Sequence, residues 1–198
     1  MKAVVFDIGN VLVRWDAAQA FLPALGDRVA VLAFLDRIGF AALNLRGDAG
    51  ETFAALADEI TDPADRALFA TYLSNYASTI PETIEGTWAL IPRLRERGLQ
   101  IHAITNWSAE TWPIGLATHP RLATSFGVTV VSGQDRVLKP DPRIFALLCA
   151  RAGLEPEDRL FIDDSLKNVE GARAFGMQAH HFVSPETLET DLVERGLL

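Results

Sequence analysis

The sequence predicts an α/β fold, a mainly parallel sheet with helices on both faces, on two observations. Short continuous apolar runs recur along the chain and are followed by polar residues, as in strands buried on both faces. Between the runs lie segments of helical periodicity, and strand–helix–strand in repetition implies a parallel sheet.

The first strand is Ala3-Val-Val-Phe6, cut short by Asp7. From about 16 to 80 the rhythm breaks. No convincing strand occurs there, but Phe53, Leu56 and Ile60 fit one helical stripe, and Leu68, Phe69, Tyr72, Leu73 and Tyr76 fit another. A helical block inserted directly after the first strand predicts a small cap over the carboxyl edge of the sheet, with hinges near Val13 to Asp16 and near Ile80-Pro81. The expected division is a core of 1–15 plus 81–198 and a cap of 16–80. Thr87 to Arg97 carries Trp88, Leu90, Ile91 and Leu94 on one side, with Gly98 as its stop. A strand follows at Ile101 to Ile104 and another at Val128 to Val131. Asp141 and Pro142 suit the N-cap and first turn of a helix reaching Ala152. Leu160 to Ile162, a helix over Ser165 to Phe175 closed by Gly176, and a strand at His180 to Val183 complete the alternation.

Composition narrows the function classes. With 198 residues, 49% of them apolar, the chain suits one compact domain with a modest insertion. A formal net charge of −8 argues against nucleic acid and anionic membrane surfaces, which need a basic face. Small anionic substrates remain open, because local Lys, Arg or metal charge can reverse the field inside one cleft. Cys149 is the single cysteine, so no intrachain disulfide forms; within Phe145-Ala-Leu-Leu-Cys149-Ala it reads as a buried thiol on a helix. Asp7 interrupts the first apolar run too early for a signal peptide, and no run approaches a membrane span. The expectation is a soluble cytoplasmic protein. Arg46-Gly47-Asp48 and Asn106-Trp107-Ser108 match adhesion and glycosylation patterns only by chance.

In open parallel sheets ligands bind beyond the carboxyl ends of the strands. The polar residues there are Asp7, Thr105-Asn106, Lys139 in the loop after the third strand, and Asp163-Asp164. Each alone has an ordinary reading as a turn, a solvated loop or a helix cap. Four such features at the same edge of consecutive strands point to a site.

Phe6-Asp7-Ile8-Gly9-Asn10-Val11-Leu12, Ile104-Thr105-Asn106, Lys139-Pro140 and Phe161-Ile162-Asp163-Asp164-Ser165, with Asn168 and Ala172 following, closely resemble the four motifs of the haloacid dehalogenase-like hydrolase superfamily. They stand in that family's order, and the resemblance runs from Ala3 to about Val183. It implies a Rossmann-like three-layer fold with a five-stranded sheet of order 5-4-1-2-3. The form of the first motif resembles a branch containing sugar-phosphate phosphatases, among them an α-glucose-1-phosphate phosphatase. Under this resemblance Asp7 is the nucleophile that forms an aspartyl-phosphate. Mg²⁺ is the implied cofactor, with Asp7, Asp164 and the Gly9 carbonyl as ligands and Asp163 acting directly or through water. Lys139 neutralises Asp7 and the transferring group, and Thr105 with the amides around Asn106 holds phosphoryl oxygens. Asn168 orients an acid or a metal-bound water. Asn10 and Trp15 join Thr105 and Asn106 as expected substrate contacts, with Trp15 either stacking on a sugar or packing the cap hinge. The implied partner is a small phosphorylated metabolite.

One position departs from the family. Its phosphatases usually carry a general acid two residues after the nucleophile, and here that residue is Gly9. Losing general acid catalysis costs about 10²–10⁴-fold. Either the leaving group is already stabilised, as in a sugar 1-phosphate or an acyl phosphate, or Asp16 or a cap residue supplies the proton. Two other readings stay open. One is carbon–halogen hydrolysis through an Asp7 ester, against which the paired acids Asp163-Asp164 argue, since they call for a cation. The other is a non-catalytic binding module on the same fold.

Overall fold

A computed structural model describes residues 1–198. Five strands, β1 (Ala3–Phe6), β2 (Gln100–Thr105), β3 (Thr129–Val131), β4 (Arg159–Asp163) and β5 (Gln178–His181), form one sheet in the order β3-β2-β1-β4-β5. Every neighbouring pair is parallel. This is the expected topology, read from the opposite edge.

Alternation along each strand splits the core into two layers. Val4 and Phe6, with Ile101, Ala103, Leu160 and Ile162, pack on one face against Trp88, Leu90, Ile91 and Leu94 of the helix Glu85–Glu96 and Leu188 and Leu192 of the helix Pro185–Glu194. Val5, Ile104, Val130 and Phe161 face the other way, onto Ile144, Phe145 and Leu148 of the helix Pro142–Ala152 and Val169 and Ala172 of the helix Leu166–Phe175. A central strand buried on both sides needs an apolar residue at every position, which is why β1 reads as a continuous run. Asp141 caps its helix by accepting the Arg143 amide, and Gly98 and Gly176 end theirs with φ of +81° and +105°.

Two expectations need correction. The last strand lies two residues earlier than His180 to Val183: pairing sets Ala179 opposite Phe161, and Val183 is 72% exposed beyond the strand end. Cys149 is half-buried rather than buried, and its Sγ accepts a hydrogen bond from the Arg159 guanidinium.

Between β1 and the helix Glu85–Glu96 the chain forms helices and turns and no strand, only isolated bridges of Val13 with Gly9 and with Thr83. Its longer helices are Arg28–Arg37, Phe40–Asp48, Phe53–Asp58 and Pro63–Ala70. An aromatic cluster holds them together: Phe21, Phe34, Phe40, Phe53, Phe69, Tyr72 and Tyr76 make edge and stacked contacts with centroids 5.0–6.5 Å apart. Both sequence stripes are part of this packing. The outgoing and returning chain run side by side, with Arg14 N donating to Glu82 O, Asp16 N to Thr79 O and Ile84 N to Leu12 O. The block is also tied to the sheet side by Ser132 Oγ donating to the Asp48 carbonyl (2.6 Å) and Phe53 N donating to Glu110 (2.6 Å).

Candidate active site

Asp7 follows β1 directly, and its amide donates to the Ile162 carbonyl of β4 (2.8 Å), which fixes the backbone between the two central strands. The next six residues form a tight turn in which the amides of Leu12 and Val13 both donate to the Ile8 carbonyl. Asn10 sits in the left-handed region with φ of 55°, which Asn tolerates better than most residues. Its Oδ1 accepts the Trp15 amide (3.0 Å), so the side chain shapes the turn as well as lining the cavity.

Around Asp7 the strand-end residues converge. Lys139 Nζ lies 2.7 Å from Asp7 Oδ1 and 2.7 Å from Asp163 Oδ2, with its side chain 1% exposed. Burial works against its ammonium, but Asp163 and Asp7 outweigh this and raise its pKa, so it stays charged. Asp163 is fully buried, and its remaining capacity goes to Ser165 N (2.8 Å) and Asn168 Nδ2 (3.0 and 3.2 Å). Asn168 therefore orients an acid, one of its two expected tasks. The Asn106 side chain has a use of its own: Oδ1 accepts the Lys139 amide (2.8 Å) and Nδ2 donates to the Lys139 carbonyl (3.2 Å). Its side chain clamps the lysine backbone. Thr105, the last residue of β2, is 1% exposed and lines the cavity.

One carboxylate oxygen from each of Asp7, Asp163 and Asp164 lies within 4.8 Å of the other two. Burial pushes Asp7 up, to about 8, against the pull of Lys139, and Asp163 and Asp164 push the same way. Asp164 is also raised, by burial and then by Asp163, with Lys139 and the Asn10 side chain opposing. Three carboxylates share one ammonium. An all-oxygen cluster with surplus negative charge fits a hard divalent cation such as Mg²⁺, which prefers one or two carboxylates and keeps its other positions for water and substrate. Gly9 lines the same cavity, and nothing lies within 4 Å of where its Cβ would be. Space does not dictate a glycine there.

The cavity has a volume of about 200 Å³. Its floor is Asp7, Thr105, Asn106, Lys139, Asp164 and Asn168, which unites the four sequence motifs; Trp15, Val13 and Ile80 line it from the two connecting segments. Asp16, the named alternative proton donor, is absent from this lining; it caps Ala18 N and pairs with Arg28 (2.6 Å), which holds its carboxyl low. Sequence reasoning missed Asn44, Asp48 and Tyr76, which form the wall on the side of the helical block, and Thr111; Trp107, readable beside Thr105-Asn106 as a stacking or packing aromatic, also lines the cavity. Trp107 packs against Tyr76 and Trp112, at 5.9 and 5.3 Å between centroids. No sequence signal marks Asp48: it closes the helix Phe40–Asp48, but other helices of the chain also end in acids.

Asp7, held by a buried lysine beside Asp163 and Asp164, lies at the carboxyl edge of a parallel sheet in a cavity walled by the helical block. Residues 1–176 match the family model for the haloacid dehalogenase-like hydrolases, and the chain belongs to that family. It is 27% identical to mouse acyl-CoA dehydrogenase family member 10 over 96% of this chain and 19% of that protein. It is 28% identical to phosphoglycolate phosphatase 1 of Pseudomonas aeruginosa over 61% of this chain and 45% of that one. The chain thus spans less than half the length of these relatives. Among solved structures, a HAD family enzyme of Bacteroides thetaiotaomicron in its magnesium complex superposes with a TM-score of 0.72, at 20% identity, covering 93% of this chain and 94% of that one. That likeness concerns the fold.

Proposed function

We propose that the protein is a Mg²⁺-dependent phosphatase that hydrolyses a small phosphorylated metabolite, a sugar phosphate above all, through an aspartyl-phosphate on Asp7. The observation that carries this reading is the convergence of Asp7, Lys139, Thr105 and Asp164 on one cavity of about 200 Å³. That volume is below the 300–1,000 Å³ typical of drug-sized ligands, which favours a small substrate. The Pseudomonas relative acts on a small phosphorylated acid by name, and the Bacteroides relative binds magnesium.

Asp7, Asp164 and the Gly9 carbonyl would hold the metal, with Asp163 in support. When bound, Mg²⁺ supplies positive charge where an anionic nucleophile meets an anionic phosphate. The rest is done by side chains. Asp7 attacks phosphorus; Lys139, steadied by Asp163 and by the Asn106 clamp, balances charge on Asp7 and the transferring group. Thr105 and the amides after it bind phosphoryl oxygens. The cap, residues 16–80, shields the reaction and opens about the paired segments near 13–16 and 79–84; identical cap positions in free and liganded crystals would argue against that motion. The surplus of carboxylates over cations makes carbon–halogen hydrolysis the weaker reading, since a metal-free site has no use for it.

The test is phosphate release from a panel of sugar phosphates, acyl phosphates and an aryl phosphate, in Mg²⁺ or in EDTA, with Asp7→Asn alongside. Release that needs Mg²⁺ and disappears in Asp7→Asn is the expected result. Absence of turnover across the panel, with the folded protein still binding Mg²⁺, would end this reading.

A further inference from the structure

We propose that Asp48, on the cap wall of the cavity, donates the proton to the leaving-group oxygen, the task for which Gly9 offers no side chain. The proposal rests on the phosphatase reading above and deepens it.

Four observations support it. Asp48 and Asp7 line the same cavity, one from the cap and the other from the sheet. Asp48 is held in register with the phosphate-binding loop: Ser132 Oγ donates to its carbonyl (2.6 Å) and accepts the Trp107 amide (2.9 Å), so one hydroxyl ties the cap acid to the segment after Thr105. Its carboxyl is oriented by Asn44, whose Nδ2 donates to Oδ2 (3.1 Å) while its Oδ1 accepts from the Tyr72 hydroxyl (3.3 Å). No cation pairs with it. Arg46 on the same helix is engaged by Glu51 and Glu59, and Lys139 across the cavity is occupied by Asp7 and Asp163.

An ionised carboxylate in that place would repel an incoming phosphoryl group, whereas a protonated one offers a hydrogen bond. The surroundings favour the protonated form. Burial pushes Asp48 up, to about 7, with the Ser108 amide and Lys139 opposing. The other groups packed nearby leave this intact: Tyr72 and Tyr76 are raised by burial and stay neutral, Glu110 is bonded to Phe53 N, Asp135 pairs with Arg151, and Arg136 lies against Gly50. A general acid works best with its pKa near the working pH.

Asp7 Oδ forms a bond to phosphorus, the bond to the bridging oxygen breaks with its electron pair on that oxygen, and the Asp48 proton moves to it. The alcohol departs and Asp48 is left as a carboxylate. Substrates therefore need no stabilised leaving group, and phosphates of ordinary alcohols, such as a sugar 6-phosphate, fall within reach.

The experiment follows the first turnover of the Mg²⁺-loaded full chain and of Asp48→Asn by rapid quench. The substrates are a primary-alcohol sugar phosphate and p-nitrophenyl phosphate, whose leaving group hardly needs a proton. We expect Asp48→Asn to slow alcohol release about 10²–10⁴-fold and nitrophenol release less than about tenfold, and to abolish the alkaline fall of the wild-type rate. Equal slowing of both substrates, or slowing of neither, overturns the proposal and leaves the phosphatase reading standing. Absence of Asp7-dependent release in the wild type sinks both. If Asp48→Asn melts early, wild-type rates on aryl phosphates of rising leaving-group pKa decide instead: a shallow dependence supports an enzyme donor, and a steep one refutes it.

Discussion

Replacing Lys139 by Met removes the one positive charge from a buried group of acids, and its cost can be worked from the contacts. Lys139 Nζ is 2.7 Å from an oxygen of Asp7 and from one of Asp163, with side-chain exposures of 1% for the lysine, 9% for Asp7 and 0% for Asp163. At an effective dielectric constant of about 20, each contact is worth roughly 6 kcal/mol of attraction, before subtracting lost hydration. Met fills similar volume, so packing changes little and the uncompensated carboxylates dominate. Breaking a buried pair from one side costs about 3–5 kcal/mol. The cost stays near that range because Asp7, already raised by burial, can take up a proton once the lysine is gone. For a chain of 198 residues, a fall in Tm of about 6–20 °C follows at roughly 2–4 °C per kcal/mol. The assay is a thermal melt in EDTA and again in Mg²⁺, where the cation offsets part of the loss. In the same melts Asp7→Asn, which removes an acid from the surplus, is expected to match or exceed the wild type in EDTA. A Lys139→Met protein melting within 2 °C of wild type in EDTA, on the scale just cited, would refute the reasoning.

Three further outcomes are expected. Gly171→Ala places a Cβ 2.5 Å from Pro140 Cβ and 3.0 Å from its carbonyl; the overpacking costs about 1–3 kcal/mol in denaturant titration and, by displacing the neighbour of Lys139, lowers kcat as well. Asp48→Asn gains stability relative to wild type as pH rises: a raised carboxyl stabilises the fold below its ordinary value of 3.8 and loses that contribution on the way up to about 7. Because the group faces the cavity, the gain by pH 8 is discounted to on the order of 1–3 kcal/mol, and a constant difference between pH 5 and 8 would count against an isolated, raised Asp48. Gly9→Asp, which has open space for its side chain, is expected to return at least about tenfold of the alkyl-phosphate rate when placed in Asp48→Asn. No recovery would argue that proton supply is not what Asp48→Asn had lost.

The sheet and the floor of the site were legible in the sequence because they obey local rules. β1 must be apolar throughout since both its faces are covered, and a parallel sheet puts Asp7, Thr105 and Asp163 at one edge whatever the loops do. The last strand was misplaced because Phe182 and Val183 look like strand residues. Pairing with β4 decides instead, and it leaves Val183 in solvent. Asn106 shows a subtler limit. Its position beside Thr105 was readable, but its grip on the Lys139 backbone joins residues 33 apart in sequence, and no periodicity reports that contact.

Asp48 marks where legibility ended, and the reason is physical. Cap helices bury aromatics against one another, so their sequence pattern records the Phe21 to Tyr76 cluster and says nothing about the wall facing the cavity. An acid at a helix C-terminus opposes the dipole, but the helices Phe53–Asp58, Glu85–Glu96 and Pro185–Glu194 end in acids too, so that position alone does not single out Asp48. The structure supplies the context: an acid without a cation, tied by Ser132 to the loop after Thr105, across a cavity from Asp7 and from Gly9, which stands where the family's phosphatases usually carry an acid. On the proposal that Asp48 is the donor, the uncompensated Asp48 and the open space at Gly9 are parts of one arrangement, in which the cap would supply the proton that the turn after β1 does not. On that proposal the donor would reach the leaving group only with residues 16–80 docked as they are here, so fast departure of an ordinary alcohol would be conditional on closure.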